Sequence, residues 1–201
     1  MTAMTAMTAM TAMTAMTATT TATTADTGDK ADTGDTAVTG ETGPADPTGG
    51  EFVPLVLAMD WQQVLAPQDP LATHRPAEVS CPLGGWLYEP QGLEINTSLC
   101  NYAMFVQPSR VAIVPGTRLR ASLYHFDLNA EAPATAHVAL MLAEAVLWEQ
   151  DIAIPGKANA YPIELALDFT AAAGTPVYFH LHNHGQNTWT LGEVEALVFA
   201  P

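Results

Sequence analysis

From Phe52 onward, short apolar segments with a period of two recur between turn residues, and that rhythm confines the chain to β-structure. Ile163, Leu165, Leu167 and Phe169 alternate with Glu164, Ala166 and Asp168, as they must in a strand with one buried face. Strands are predicted over 52–59, 99–107, 110–114, 117–127, 135–142, 146–154, 163–169, 176–184 and 192–199. Pro115-Gly116, Asn129 to Pro133, Pro155-Gly156 and Ala173-Gly174 punctuate them. Short strands at this spacing predict an all-β fold, an antiparallel β-sandwich or jelly roll. The Ala-, Leu- and Glu-rich stretch 134–150 is also compatible with a helix. Val138, Leu140 and Leu142 on period two, followed by Trp148 and Ile152, favour a hairpin there.

Upstream of Gly49-Gly50 the chain is of another kind. Met1 to Met16 is a Met-Thr-Ala repeat holding six of the nine methionines, and a Thr-Ala tract follows it. Three hexapeptide-like units then begin at Ala25, Ala31 and Ala37. Between Asp26 and Glu51 seven carboxylates face one Lys30, so this segment repels itself and buries no face. Residues 1–50 are accordingly expected to be a disordered linker, and 51–201 one folded domain of a size that needs no metal to hold it together. The carboxylates lack the ligand density of a calcium loop. The repeat has neither the basic start nor the continuous apolar run of a signal peptide. Acidic Asp-Thr-Gly tracts of this style resemble the stalks of bacterial surface lipoproteins, although no cysteine is present to carry a lipid. That resemblance implies an extracellular or cell-surface protein; the six candidate start methionines of the repeat point to a true amino terminus and export signal upstream, the alternative being a cytoplasmic protein or another exit route. No stretch reaches the length of a transmembrane helix.

The net charge of −15 weighs against nucleic acid as a partner. A phosphate-tracking surface needs a basic stripe, and Arg118 with Arg120 is too little against such a field. Cys81 and Cys100 are even in number and close a short loop, so a disulfide is expected in an oxidising compartment, with two buried thiols as the alternative. Neither belongs to a C-x-x-C pair of the kind that holds zinc or exchanges disulfides.

The densest group of reactive side chains lies in Val-Tyr-Phe-His-Leu-His-Asn-His, residues 177–184. In a strand, Val177, Phe179 and Leu181 take the core side, while Tyr178, His180, His182 and His184 share the opposite face. Three readings stay open. The histidines line a sheet surface and hydrogen-bond across strands; or Tyr178, His180, His182, His184, Asn187 and Trp189 form a ligand-binding surface; or His180 and His182 hold a metal ion. The third needs further donors, for which His184, His125, Glu193 and Glu195 are conceivable. His74 and His137 look incidental. Trp86, Tyr88, Trp148 and Trp189 each adjoin an apolar segment and are expected in the core.

Several family patterns touch this chain. Gly116-Thr-Arg-Leu-Arg-Ala-Ser-Leu-Tyr, Ala136-His-Val-Ala-Leu-Met-Leu and Thr175-Pro-Val-Tyr-Phe-His-Leu, followed by Trp189-Thr-Leu-Gly-Glu-Val-Glu-Ala-Leu, resemble the galactose-binding-like jelly rolls that include many carbohydrate-binding modules. This implies the fold and leaves the ligand open. Gly174 and His180-Leu-His182 are similar to the start of the first cupin motif, but its glutamate position falls on Gln186 or Asn187. Phe179-His-Leu-His looks like the zinc pair of alpha-type carbonic anhydrases, without the third histidine downstream. His180-Leu-His-Asn-His184 looks like a multicopper oxidase run without its His-Cys-His partner.

No nucleophile elbow, Walker loop, zincin helix or dinucleotide fingerprint is present. Glu144 and Glu149 are the kind of acid pair that glycoside hydrolysis uses, with a spacing that sequence does not define. The expected function is a noncatalytic secreted or surface-tethered domain binding carbohydrate or a surface protein, and the alternative is a metal-dependent enzyme built on residues 180–184.

Overall fold

The computed structural model describes residues 49–199. The linker expected over 1–50 therefore lies outside the described residues, apart from Gly49 and Gly50. Twelve strands form two antiparallel sheets: β1 (Gly50–Pro54), β2 (Gln62–Gln63), β3 (Trp86–Glu89), β4 (Gly92–Asn96), β5 (Tyr102–Pro108), β6 (Arg118–His125), β7 (Ala134–Leu142), β8 (Ala145–Ile154), β9 (Asn159–Ala166), β10 (Pro176–His182), β11 (Thr188–Leu191) and β12 (Glu195–Phe199). The five-stranded sheet runs β2-β5-β10-β7-β8, and the seven-stranded sheet runs β1-β12-β6-β11-β4-β3 with β9 on the other side of β6. The fold is an all-β sandwich.

Each sheet meets the other through one set of alternate residues. Leu93 and Ile95 of β4, Leu119 and Leu123 of β6, and Trp189 and Leu191 of β11 pack against Phe105, Val138, Leu140, Val177, Phe179 and Leu181 of the facing sheet. These side chains are almost wholly removed from water, at about 1.5–3 kcal/mol for each large aliphatic or Phe side chain, and they supply most of what holds the layers together. Residues 134–154 form the hairpin β7–β8, with Ala143 at its turn in the left-handed region at φ 51°. The segment 110–114 contributes only an isolated bridge, Ile113 to Ala171. Strands β2, β3, β4 and β11 were not expected from the sequence pattern. β3 and β4 are a hairpin closed by Pro90-Gln91-Gly92, and Gly92 is obligatory there: at φ 141° a Cβ would stand 1.9 Å from the Leu191 carbonyl oxygen.

β11 and β12 behave as one strand broken at Gly192-Glu193-Val194. β6 pairs with both, through Leu191↔Leu123 on one side of the break and Ala196↔Leu119 on the other. Its other edge is paired with β9 along its full length, from Arg118↔Ala166 to His125↔Asn159. Pro162 sits in the middle of β9.

A long excursion between β1 and β3 crosses the outer face of the five-stranded sheet. β2 pairs with β5, and Val64 N–H donates to the Met104 carbonyl at 2.8 Å. Val64, Tyr102 and Met104 make a second small core with Leu71, Val106 and Tyr178. The buried Asp69 carboxylate accepts from the Tyr102 hydroxyl at 2.5 Å, from Leu71 N–H at 2.9 Å and from Arg75 Nη1 at 3.0 Å. The excursion ends at Cys81, which is bonded to Cys100.

Two outcomes test this description. Replacing both cysteines with alanine frees a loop with a sequence separation of 19 and lowers unfolding stability by about 3 kcal/mol in a urea melt. Ala143→Gly removes a left-handed penalty of about 1–2 kcal/mol while adding unfolded-chain entropy of about 0.4–1 kcal/mol, so a net gain between zero and about 1.6 kcal/mol is expected in the same assay.

Candidate functional site

β10 lies between β5 and β7, so its residues are fixed from both sides. Val177, Phe179 and Leu181 enter the main core, and Tyr178, His180 and His182 occupy the opposite face. That face is roofed rather than open. His180 has no exposed surface, His182 is half-buried and His184 is exposed. In register, His180 stands between Met104 and Ala139, and His182 between Tyr102 and His137.

His74 and His137 are far from incidental. His74 lies on a short 3-10 turn, Ala72–His74, of the covering excursion, and its ring stacks on His137 with centroids 4.0 Å apart and planes at 15°. His180 meets both, at 5.6 Å from the His74 ring and 5.1 Å from the His137 ring. One nitrogen from each of His74, His137 and His180 falls within 4.8 Å of the others. The Glu149 carboxylate lies 3.5 Å from His137 Nε2. His137 Nδ1, both nitrogens of His180 and Nε2 of His182 are buried without a hydrogen-bond partner in the protein.

The electrostatics follow from this crowding. Burial first, then the neighbouring His137, His74 and His182, push the His180 imidazole down to about 2, so it is neutral under all ordinary conditions. Burial first, then His184, His74 and His137, lower His182 as well. Burial and the Asp69 contact raise the Tyr102 phenol, which stays protonated and donates to that carboxylate.

The other expected site residues are spread through the fold. Trp189 is fully buried between the sheets, its ring 4.5 Å from that of His125. His125 is itself buried there, with Nδ1 2.7 Å from the Phe126 carbonyl oxygen. Asn187 serves its loop: its Nδ2 donates to the Asp127 carbonyl at 2.7 Å, and its carbonyl accepts from Thr97 N–H at 2.7 Å. Glu195 is on β12 and Glu193 in the break before it, both lining the outer face of the seven-stranded sheet, so neither joins the histidines. Glu144 is at the β7–β8 turn, with Glu149 on β8 beside His137.

The outer face of the seven-stranded sheet carries a second site that sequence reasoning missed. Arg120, Ser122 and Tyr124 project outward from β6 beside Pro162 and Glu164 of β9, and the break between β11 and β12 adds Gly192, Glu193 and Glu195. They line an open cleft of about 440 Å³ with Gln91 on its rim. Gly192 keeps it open, because a Cβ there would stand 2.3 Å from Ser122 Oγ. Arg120 Nε donates to Glu195 at 2.6 Å, and its guanidinium lies 4.0 Å over the Phe52 ring. The alternation Arg-Leu-Arg-Ala-Ser-Leu-Tyr did signal an outward polar row on β6. What it lacked was the neighbours that make the row a cleft.

No protein-family model and no curated protein sequence matches the chain. Among solved structures it is similar to a xylan-binding module of family 15, at 12% identity over 75% of this chain and 97% of that one, with a TM-score of 0.44. It is also similar to the family 11 carbohydrate-binding module from Clostridium thermocellum, at 11% identity over 76% and 96% with a TM-score of 0.37. The K1 cleaved adhesin domain of Lys-gingipain from Porphyromonas gingivalis W83 matches at 17% identity over 75% and 94%, with a TM-score of 0.38. No residue role is carried across from any of them.

The histidine group makes stability depend on pH. The unfolded chain protonates an imidazole near 6.5 and the folded chain does not protonate His180 until about 2, so below 6.5 protons favour unfolding. In chelator, stability is expected to be flat above about pH 7 and to fall below 6.5 by at least about 1.4 kcal/mol per pH unit, the share of one proton, with His182 adding to it, measured by urea melts. His180→Gln should make that slope shallower by the share of one proton.

Proposed function

We propose that this is a noncatalytic binding domain that takes a neutral carbohydrate chain along the outer face of the seven-stranded sheet. The observation that carries the reading is the cleft itself, an open groove lined by Gln91, Arg120, Ser122, Tyr124, Glu164, Glu193 and Glu195. Sugar rings offer hydroxyls to planar polar groups and C–H faces to an aromatic ring, and the cleft presents both kinds of surface. Its three carboxylates stand against one arginine already paired with Glu195, within a chain of net charge −15, so sulfated or uronate polymers are disfavoured.

The histidine face supports this less well, because His180 is sealed beneath the covering excursion and reaches no polymer. A secreted or cell-surface setting fits the Cys81–Cys100 disulfide. Among the described residues no helix is long and apolar enough to cross a membrane.

The test is titration of the protein against neutral β-linked oligosaccharides and against their uronate counterparts. Neutral chains should bind in the micromolar to millimolar range, and Tyr124→Ala or Glu164→Ala should weaken binding at least about tenfold, which corresponds to about 1.4 kcal/mol. Melting temperatures should stay nearly unchanged, since both side chains face outward. Failure of every neutral glycan to bind, or full affinity in Tyr124→Ala, overturns the reading.

A further inference from the structure

Burying an imidazole without a hydrogen-bond partner costs on the order of 1–3 kcal/mol, and this fold does it repeatedly in one place. His180 is fully enclosed with both nitrogens unpartnered, and His137 Nδ1 is buried and unpartnered beside it. Elsewhere the covering excursion satisfies its buried polar groups, as Asp69 shows with three donors. Trp86 Nε1, Asn183 Oδ1 and Trp189 Nε1 are also buried without a partner, but four such nitrogens gather on the neighbouring rings of His137, His180 and His182, a concentration that a ligand would explain.

The donor set specifies the ligand's class. Three imidazoles converge with no carboxylate among them, which excludes hard oxygen-seeking ions such as calcium and magnesium and suits a first-row transition metal. Four tetrahedral ligands at about 2.0–2.1 Å from zinc stand about 3.4 Å from one another. The three nitrogens lie within 4.8 Å of one another, so closing on an ion takes side-chain adjustments on the order of an ångström. His74 is on a short turn of a covering segment, where such adjustment costs little. Glu149, 3.5 Å from His137 Nε2, occupies the place from which a carboxylate orients a ligating histidine through its other nitrogen, and the free nitrogen is the buried Nδ1.

We propose that His74, His137 and His180 bind one zinc-type divalent ion, and that the ion fastens the covering excursion to strands β7 and β10 beneath it. The three ligands come from three separate segments: the 3-10 turn at Ala72–His74, β7 and β10. Binding therefore crosslinks parts of the chain that are distant in sequence. The cleft on the opposite sheet takes no part.

The experiment uses the full chain prepared without a polyhistidine tag, stripped with chelator and titrated with Zn2+, and with Co2+ as a spectroscopic probe. One ion per chain with a dissociation constant below about 10 μM is expected, together with the visible bands of low-coordinate Co2+. His74→Ala and His137→Ala should each weaken binding at least about 100-fold, while His184→Ala should leave it within about threefold. Zinc should also slow amide exchange across 64–80 in the wild type and not in His74→Ala. Should His137→Ala fail to fold, His74→Ala decides alone, because its side chain lies on the covering segment outside both sheets. Absence of a bound ion, or equal binding by wild type and His74→Ala, overturns the proposal. A loss in His184→Ala as large as in His74→Ala would move the ion to the 182–184 pair and overturn it as well.

Discussion

The burial of β10 from both sides is the constraint around which this fold is arranged. As the central strand of its sheet it has no free edge, and its Val177, Phe179 and Leu181 complete the main core. Its other face, with Tyr178, His180 and His182, is too apolar and too crowded with rings to stand in water without cost. The long excursion between β1 and β3 answers that demand, bringing Val64 and Leu71 to cover it. Asp69 makes the cover specific. Its carboxylate, the Tyr102 hydroxyl and Arg75 form a buried network in which every strong group has a partner, and loss of any one of them would leave a charge or donor stranded.

The two outer faces of the sandwich thus differ in character. The roofed face is buried, aromatic and rich in imidazoles. The other stays open, and the break between β11 and β12 dents it. At that break the glycine is needed for space, and the glutamates flanking Val194 reach the surface. A ligand large enough to be a polymer has only the open face available, whereas an ion small enough to sit between packed rings has the roofed one. The two proposed uses can coexist in one domain because the inter-sheet core separates them.

Much of this architecture was legible in residue order. Period-two runs identified the strands that make the bulk of both sheets, and the alternation in 177–182 assigned each side chain to its correct face. The hairpin over 134–154 was distinguishable from a helix because Val138, Leu140 and Leu142 alternate. Even the pairing of Cys81 with Cys100 followed from count and spacing. Strands β3 and β4 escaped because prolines and glycines crowd 82–92 and the two strands are short. The histidine trio escaped for a deeper reason. His74, His137 and His180 lie on segments distant in sequence, and only the register of β7 against β10, together with the path of the excursion, brings them together. The cleft shares that character, being formed from β6, β9 and a strand break that no local pattern announces.

The placement of Pro162 has a consequence beyond the cleft it helps to line. β9 borders the seven-stranded sheet, and a bordering strand with a continuous row of N–H groups invites another chain to zip onto it. Proline has no such hydrogen, so the row is interrupted midway along β9. On the other sheet, Glu149 and Asp151 put negative charge on bordering strand β8. Many copies of this domain crowded side by side would thus find, at β8 and β9, borders that resist fusing into a common sheet.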